Sequence, residues 1–548
     1  MPYRAFPWAL LAAIGLAGCN AQHPSTAIPT PAIHVGTQLA AEQVLSRTLD
    51  SAPPLLDPSL TTDAPTQVLM DDLFEGLTTL APDGSVVPGV ASSWETSADG
   101  LIWTFHLRPE ARWSNGSPLT AADFVYAWRR TVDPATRAEY AQALSPILHG
   151  LDVATGVRPP SDLGVTALDA HTLRVQLGAP TPYLPQLLTN MYLMPLYEPV
   201  IRRYGDDWTR AINMVSNGPF KLQENIIGSR LTLDKNPNYW DAGNVKLQRV
   251  IYYVVEDRTA QAQRFLAGQV QFIMTFPSTD LPYLRSRLGE QVVVAPYFGT
   301  LAVGINVTRP PFKGNRALRL ALNLAVDREL IAEHVLNGAG FPAYTATPPL
   351  PDYPRPIPEW AKLSVSARHE LARRYYREAG YSASRPLRAE LSSSSGDEVS
   401  TLLYESIIAM WRETLGAQVS LHEMEFKILL QERRLKKPEL FHDAWIGDYL
   451  DPYTFLELRN TGFEINNSGY SNPAYDTLLD KANQQIDLHE RYRYLAAAEA
   501  LSNDDAAYIP VYYYAVRHLA KPYLKGWAPN IVDRNLSRYM YLLEHEGN

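Results

Sequence analysis

Residues 101–132 read LIWTFHLRPEARWSNGSPLTAADFVYAWRRTV and carry two periodicities side by side. In 101–107 apolar and polar residues alternate, with Trp103, Phe105 and Leu107 on one face, the pattern of a half-buried strand. Ala98-Asp99-Gly100 makes a turn before it and Ser114-Asn115-Gly116 another after it. Thr120 then stands where a helix N-cap belongs, Asp123 follows three residues on, and Phe124, Val125 and Trp128 recur at helical spacing. A strand and a helix with facing apolar surfaces predict an α+β or mixed α/β unit.

The same reading extends in both directions. Val68, Leu69, Leu73 and Leu77 predict a helix over 66–77. Strands are expected at 173–177, 247–255 and 269–273, a strand start at 220–222 after the turn Ser216-Asn217-Gly218-Pro219, and a helix at 258–266. One long amphipathic helical region is expected at 315–336, then a proline-rich ordered surface loop at 342–358. Helices follow at 366–379 and 398–415, a strand at 418–421, a broken helical region from Asn472-Pro473 to about 504, and a strand at 508–514. No repeat of fixed period is present.

A chain of 548 residues is too long for one typical core and predicts several domains. Its net charge of −9 leaves no basic footprint, so nucleic acid is excluded as an expected partner. The single cysteine, Cys19, rules out an intrachain disulfide and a cysteine zinc site. It follows a short basic start and the thirteen apolar residues FPWALLAAIGLAG, too few to cross a bilayer about 30 Å thick, so 1–18 reads as a signal peptide. Leu16-Ala17-Gly18-Cys19 resembles the lipobox of bacterial lipoproteins, which implies acylation at Cys19 and a lipid anchor. Residues 19–34, rich in Pro, Ser, Thr and Ala, form an expected tether outside the cytoplasm.

Residues 440–455, LFHDAWIGDYLDPYTF, hold the candidate site. An apolar run through Phe441, Ala444, Trp445 and Ile446 arrives at Asp448 and breaks at Asp451-Pro452. A carboxylate among Trp445, Tyr449 and Tyr453 needs a cationic partner or takes up a proton. The residues alone admit both a turn-capping aspartate and an anchor for a ligand's ammonium. Nucleophile elbows, phosphate loops and zinc-binding HExxH are absent, and Asp71-Asp72 and Asp504-Asp505 are adjacent pairs that diverge on a helix. No catalytic residue, metal or cofactor is expected.

Three segments together resemble the oligopeptide-binding proteins of ABC importers, family 5 of the solute-binding proteins: 72–134; VSNGPFKL (215–222) with LDKNPNYWD (233–241); and 440–455 with NPAYD (472–476) and IPVYYY (509–514). The resemblance implies an α/β, periplasmic-binding-protein type II fold, two lobes with a two-segment hinge plus an extra domain on lobe I. Lobe I would comprise 35–75, 200–299 and 516–548, extra domain II 76–199 and lobe III 300–515, with the hinge at Thr300-Leu301 and Ala515-Val516. It further implies that a short peptide is held between the lobes and delivered to permease subunits by a periplasmic, lipid-anchored monomer.

In the family the acid of W-x-x-D-Y binds the ligand's α-ammonium, which implies that role for Asp448. The backbone of Ala444, Trp445 and Ile446 and of Thr62, Asp63 and Ala64 would pair with the ligand main chain, and Trp445 would line a side-chain pocket. The family's basic residues for the ligand's carboxylate fall on Leu336, Ser400 and His442 here, while Arg433 is retained. That departure leaves open a murein or glutathione-like peptide, haem or another solute, and a sensory role. A lipid-tethered hydrolase is the alternative from another class.

Overall fold

The structure is a computed structural model and describes residues 33–396 and 398–546. The expected signal peptide, Cys19 and all but the last two residues of the tether lie outside them.

Around residues 101–132 the expectations hold. Ile102–Leu107 is a strand whose Trp103, Phe105 and Leu107 are buried, and Ala121–Val132 is a helix opened by a capping box between Thr120 and Asp123. The strand lies in a four-stranded sheet with Ala91–Thr96, Thr172–Gln176 and Val165–Ala167. Trp128 from the helix is fully buried and donates its indole N–H to Leu193 O at 2.8 Å.

The main sheet is mixed and eleven-stranded. Across it run Gln418–Met424, Arg388–Ser394, Leu440–Ile446, Val292–Ile305, Tyr508–Ala520, Phe272–Ile273, Val44–Leu49, Arg249–Val254, Arg230–Lys235 and Phe220–Ile226. Gly340–Pro342 pairs with Tyr508–Ala520 off this path. The two longest strands, Val292–Ile305 and Tyr508–Ala520, run antiparallel from one lobe into the other. Around them the apolar side chains segregate. One cluster contains Leu45, Val250, Phe105 and Trp128, so the extra domain shares a continuous core with its lobe. Others, containing Leu322, Tyr404 and Trp411, and Phe455, Tyr475 and Leu495, fill the two faces of the second lobe.

The ladder between the long strands is interrupted twice in close succession, between Pro296 and Thr300 and again between Leu301 and Ala302. Pro296 pairs with Ala515 and Thr300 with Tyr513, leaving Tyr297, Phe298 and Gly299 opposite Tyr514 alone. The freed backbone finds other partners: Phe298 N–H donates to Ile531 O and Phe298 O accepts from Gly447 N–H, both at 2.8 Å.

Tertiary packing overrides local periodicity at three places. The helix expected over 66–77 is Ala64–Leu73; Gly76 beyond it lies so close to Leu188 that a Cβ would come 2.7 Å from its carbonyl oxygen. The long helix of 315–336 is divided into Arg316–Leu324, Arg328–Leu330 and a π-helical turn Ile331–Val335. Asp327 caps the second piece, and the fully buried Arg328 turns inward to Ala343 O and Pro510 O at 2.7 and 2.8 Å. The loop over 342–358 is no surface loop at its start, since Ala343, Thr345 and Thr347 are fully buried.

Gly304 on the first long strand faces Phe441, whose ring would meet a Cβ there at 2.1 Å. Gly304→Val should lower stability by about 1–3 kcal/mol through overpacking. Urea denaturation checks this: a reduced midpoint at unchanged m-value is expected.

Candidate functional site at the end of a free strand edge

Leu440–Ile446 lies between two strands only at its beginning. Arg388–Ser394 pairs with Leu440 and Phe441 and then diverges, whereas Val292–Ile305 pairs along the full length to Ile446. From His442 to Ile446 one edge of the strand therefore has no neighbouring strand among the described residues. Every second residue along such an edge presents its N–H and C=O outward.

The chain then turns sharply and delivers Asp448 into the cleft. Gly447 is held by Phe298 O, and a side chain there would collide with the Phe298 ring at 2.4 Å. Thr454 Oγ1 accepts from Asp448 N–H at 3.3 Å and from the Trp445 indole at 3.1 Å. Asp451 is sealed from solvent and paired in two bonds of 2.9 and 3.0 Å with the equally buried Arg491, which also donates to Ala482 O and Asn483 Oδ1. The Asp-Pro break thus carries two acids with different tasks. Asp451 pins the turn, and Asp448 is presented.

Asp448 makes no ion pair among the described residues. It is reachable from the cleft, yet the surrounding groups strip enough hydration to push its carboxyl above the usual aspartate range. Its charge acts on Tyr140 and Tyr192, whose hydroxyl pKa values rise first through burial and then through Asp448. These tyrosines stack at 5.7 Å on the lobe carrying the extra domain. A cavity of about 110 Å³ runs between residues 446–450 and Gln186, Thr189 and Arg534 opposite. The Arg534 guanidinium is already engaged by Asp71 and Thr189. Beside the acid, Tyr449 stacks on Tyr183 from across the cleft, with centroids 4.6 Å apart and planes 9° from parallel. Tyr449 also donates its hydroxyl to Glu457 at 3.3 Å. Burial, reinforced by Asp448, lifts the Glu457 carboxyl to about 8.

The expected site residues divide into two groups. His442, Ala444, Trp445, Ile446 and Asp448 lie along one strand and its turn, and Arg433 joins them through a 2.9 Å ion pair with Asp443. Thr62, Asp63 and Ala64 lie on the other lobe, and among the described residues no hydrogen bond links them to this strand. Asp63 caps the Ala64–Leu73 helix, accepting from Thr66 N–H at 2.9 Å, and the Thr62 hydroxyl reaches Glu139 at 3.4 Å. The three altered positions are also resolved. Leu336 is buried in the apolar core, Ser400 lies buried in the first turn of Glu398–Leu415, and His442 Nδ1 is 2.8 Å from the Tyr404 hydroxyl. Sequence reasoning missed Tyr140, Tyr183, Tyr192 and Glu457. The only hint was tyrosine abundance, since these residues converge from distant parts of the chain. Among the described residues no group of acids and histidines could hold a metal, and no helix is long and apolar enough to cross a membrane.

The profile of the bacterial extracellular solute-binding proteins, family 5 Middle, matches residues 85–467. The chain belongs to this family. Within it, the periplasmic oligopeptide-binding protein OppA of Salmonella typhimurium is 35% identical over 543 residues, covering 98% of each chain. The probable deoxycholate-binding periplasmic protein YgiS of Escherichia coli is 35% identical over 520 residues, 94% of this chain and 96% of the other. The solved unliganded open form of the murein tripeptide-binding protein MppA superposes with a TM-score of 0.87 at 34% identity, covering 93% of this chain and 99% of that one. A family 5 protein thus stands here in a form similar to an open relative, with type II architecture, two lobes and an extra domain.

Glu457 provides a test of the site's electrostatics. Its folded carboxyl keeps a proton to about pH 8, whereas an unfolded glutamate releases it near 4.5. Between those values the folded state holds more protons, so this group lowers stability as pH rises and levels off above the folded value. Glu457→Gln should flatten the decline between about pH 5 and 8 in denaturant midpoints. A decline of the same slope in variant and wild type would assign it to other groups.

Proposed function

We propose that this protein is the periplasmic solute-binding component of an ABC importer, which captures a short peptide between its lobes and delivers it to permease subunits. The observation that carries this is the free edge of Leu440–Ile446 ending at Asp448, an acid with no ion pair among the described residues. An extended ligand adds as a strand along residues 442–446 and receives main-chain hydrogen bonds that are indifferent to sequence. Its ammonium supplies the charge that Asp448 lacks. Thr62, Asp63 and Ala64 meet its other edge when the lobes close, and closure is driven because only the closed state contacts both halves.

The names of OppA and MppA support peptide cargo, and the family is one of binding proteins, so the chain is not an enzyme. We assign lobe I to 35–75, 200–299 and 516–548, domain II to 76–199 and lobe III to 300–515, and attach the protein as a monomer to a membrane through acylated Cys19. A solute other than a linear peptide is the second reading. It is favoured by the placement of Leu336 in the core and by the relative named for deoxycholate binding.

Leaving a buried charge unpartnered costs roughly 3–5 kcal/mol. Asp448→Ala should therefore weaken tripeptide binding by about two to four decades, at about 1.4 kcal/mol per decade. Calorimetry with a tripeptide and its N-acetylated form measures this, and the acetylated peptide should be similarly weakened on the wild type. Equal affinity for both forms refutes the ammonium anchor. Mass spectrometry of the co-purifying ligand separates peptide from other cargo.

A further inference from the structure

The arginines around the site differ in what they face. Arg491 is neutralised by Asp451, Arg534 by Asp71 and Arg433 by Asp443. Arg459 has no ion pair among the described residues, although only 6% of it is exposed. It donates one hydrogen bond, from Nη1 to Phe455 O at 3.0 Å, and its guanidinium lies 3.5 Å from the Tyr508 ring centroid. Its Nε and Nη2 donate to no described residue. Asp443 is occupied by Arg433. Glu499 acts on Arg459 only through space, its oxygens accepting from Thr347 N–H and the Tyr353 hydroxyl at 2.8 and 2.7 Å. Arg459 thus has a distant carboxylate but no contacting one, and a largely buried guanidinium with two unused donor nitrogens favours a further acceptor.

Arg459 lines two adjoining small cavities under the Leu440–Ile446 strand, of about 30 and 20 Å³. Both are bounded by Asp443, Trp445 and Tyr508, and the larger also by Arg433, whose Nε is sealed in without an acceptor. Two guanidiniums face one carboxylate, so the space carries an excess positive charge and more donors than acceptors. A water requires roughly 10–15 Å³ on this measure, so the space suits a few waters or the carboxylate that would replace them.

We propose that this space is a subsite for an anionic ligand side chain, with Arg459 as its counter-charge. The inference rests on the peptide reading above. A ligand anchored at Asp448 and laid along residues 446–442 advances about 3.4 Å per residue, with side chains alternating between faces. Asp443 and Trp445 share the face beneath the strand, so the side chain that enters belongs to the ligand's second or third residue. A glutamate or aspartate there forms a charge-assisted, bidentate pair that its amide counterpart cannot.

The test is calorimetry with tetraalanine, Ala-Glu-Ala-Ala, Ala-Gln-Ala-Ala, Ala-Ala-Glu-Ala and Ala-Ala-Gln-Ala on the wild type and Arg459→Met. The wild type should prefer glutamate to glutamine at one of the two positions by at least about tenfold. Arg459→Met should erase that preference and leave tetraalanine affinity unchanged, which also reports a folded variant. If the variant does not fold, the glutamate-glutamine comparison on the wild type decides. Equal affinity for glutamate and glutamine at both positions, with tetraalanine bound, overturns the subsite and leaves the peptide reading intact. A preference that survives in Arg459→Met also overturns it, and failure of every peptide to bind overturns both readings.

Discussion

Everything in this protein hangs on the pairing of Val292–Ile305 with Tyr508–Ala520. Each strand contributes to both lobes, so one hydrogen-bonded ladder joins two otherwise separate cores. The longer of its two interruptions is where Tyr297, Phe298 and Gly299 bulge opposite Tyr514. The bulge is also a foundation. Its Phe298 carbonyl holds Gly447, and the Phe298 ring packs edge-on against Phe455 at 4.9 Å, so the turn bearing Asp448 is built on the crossing itself. The crossing between the long strands and the position of the acid therefore share one piece of backbone.

Charge distribution then separates scaffold from site. Asp451 with Arg491, and Asp71 with Arg534, are buried pairs that satisfy each other and hold chain segments in place. Asp448 and Arg459 make no ion pair among the described residues, one at the end of the free strand edge and one lining the cavities beside Asp443 and Trp445. A peptide carries complementary groups, an ammonium at one end and side chains along its length. The tyrosines add a surface that strips water without competing for charge: Tyr183 on Tyr449 across the cleft, and Tyr140 on Tyr192.

Much of the fold was legible along the chain because it is encoded by short-range spacing. Trp103, Phe105 and Leu107 mark a strand, Thr120 with Asp123 a helix start, and helices at 258–266 and 398–415 appear at the expected bounds. The failures came where a distant group intervened. One helix stops at Leu73, before Gly76 packs against Leu188; another is divided where Arg328 turns toward Pro510; and residues 343–347 enter the core although their composition suggests a surface loop. The site was legible in the same partial way. Residues 442–448 are consecutive and could be read together, whereas Glu457, Tyr183 and Arg459 acquire meaning only from what lies beside them in space.

The sequence by itself determined the α/β class, the family, and an acid set in an aromatic stretch after an apolar strand, because these depend on residues near one another in the chain. Only the tertiary structure decided that the acid has no cationic partner among the described residues, since an ion pair for Asp448 or its absence is a property of groups brought in from elsewhere. It also decided that Asp451 is the pinned acid and Asp448 the presented one, three residues apart and indistinguishable by composition. The same holds for the free edge: any strand has two, and Leu440–Ile446 offers one to the cleft because Arg388–Ser394 leaves it after Phe441.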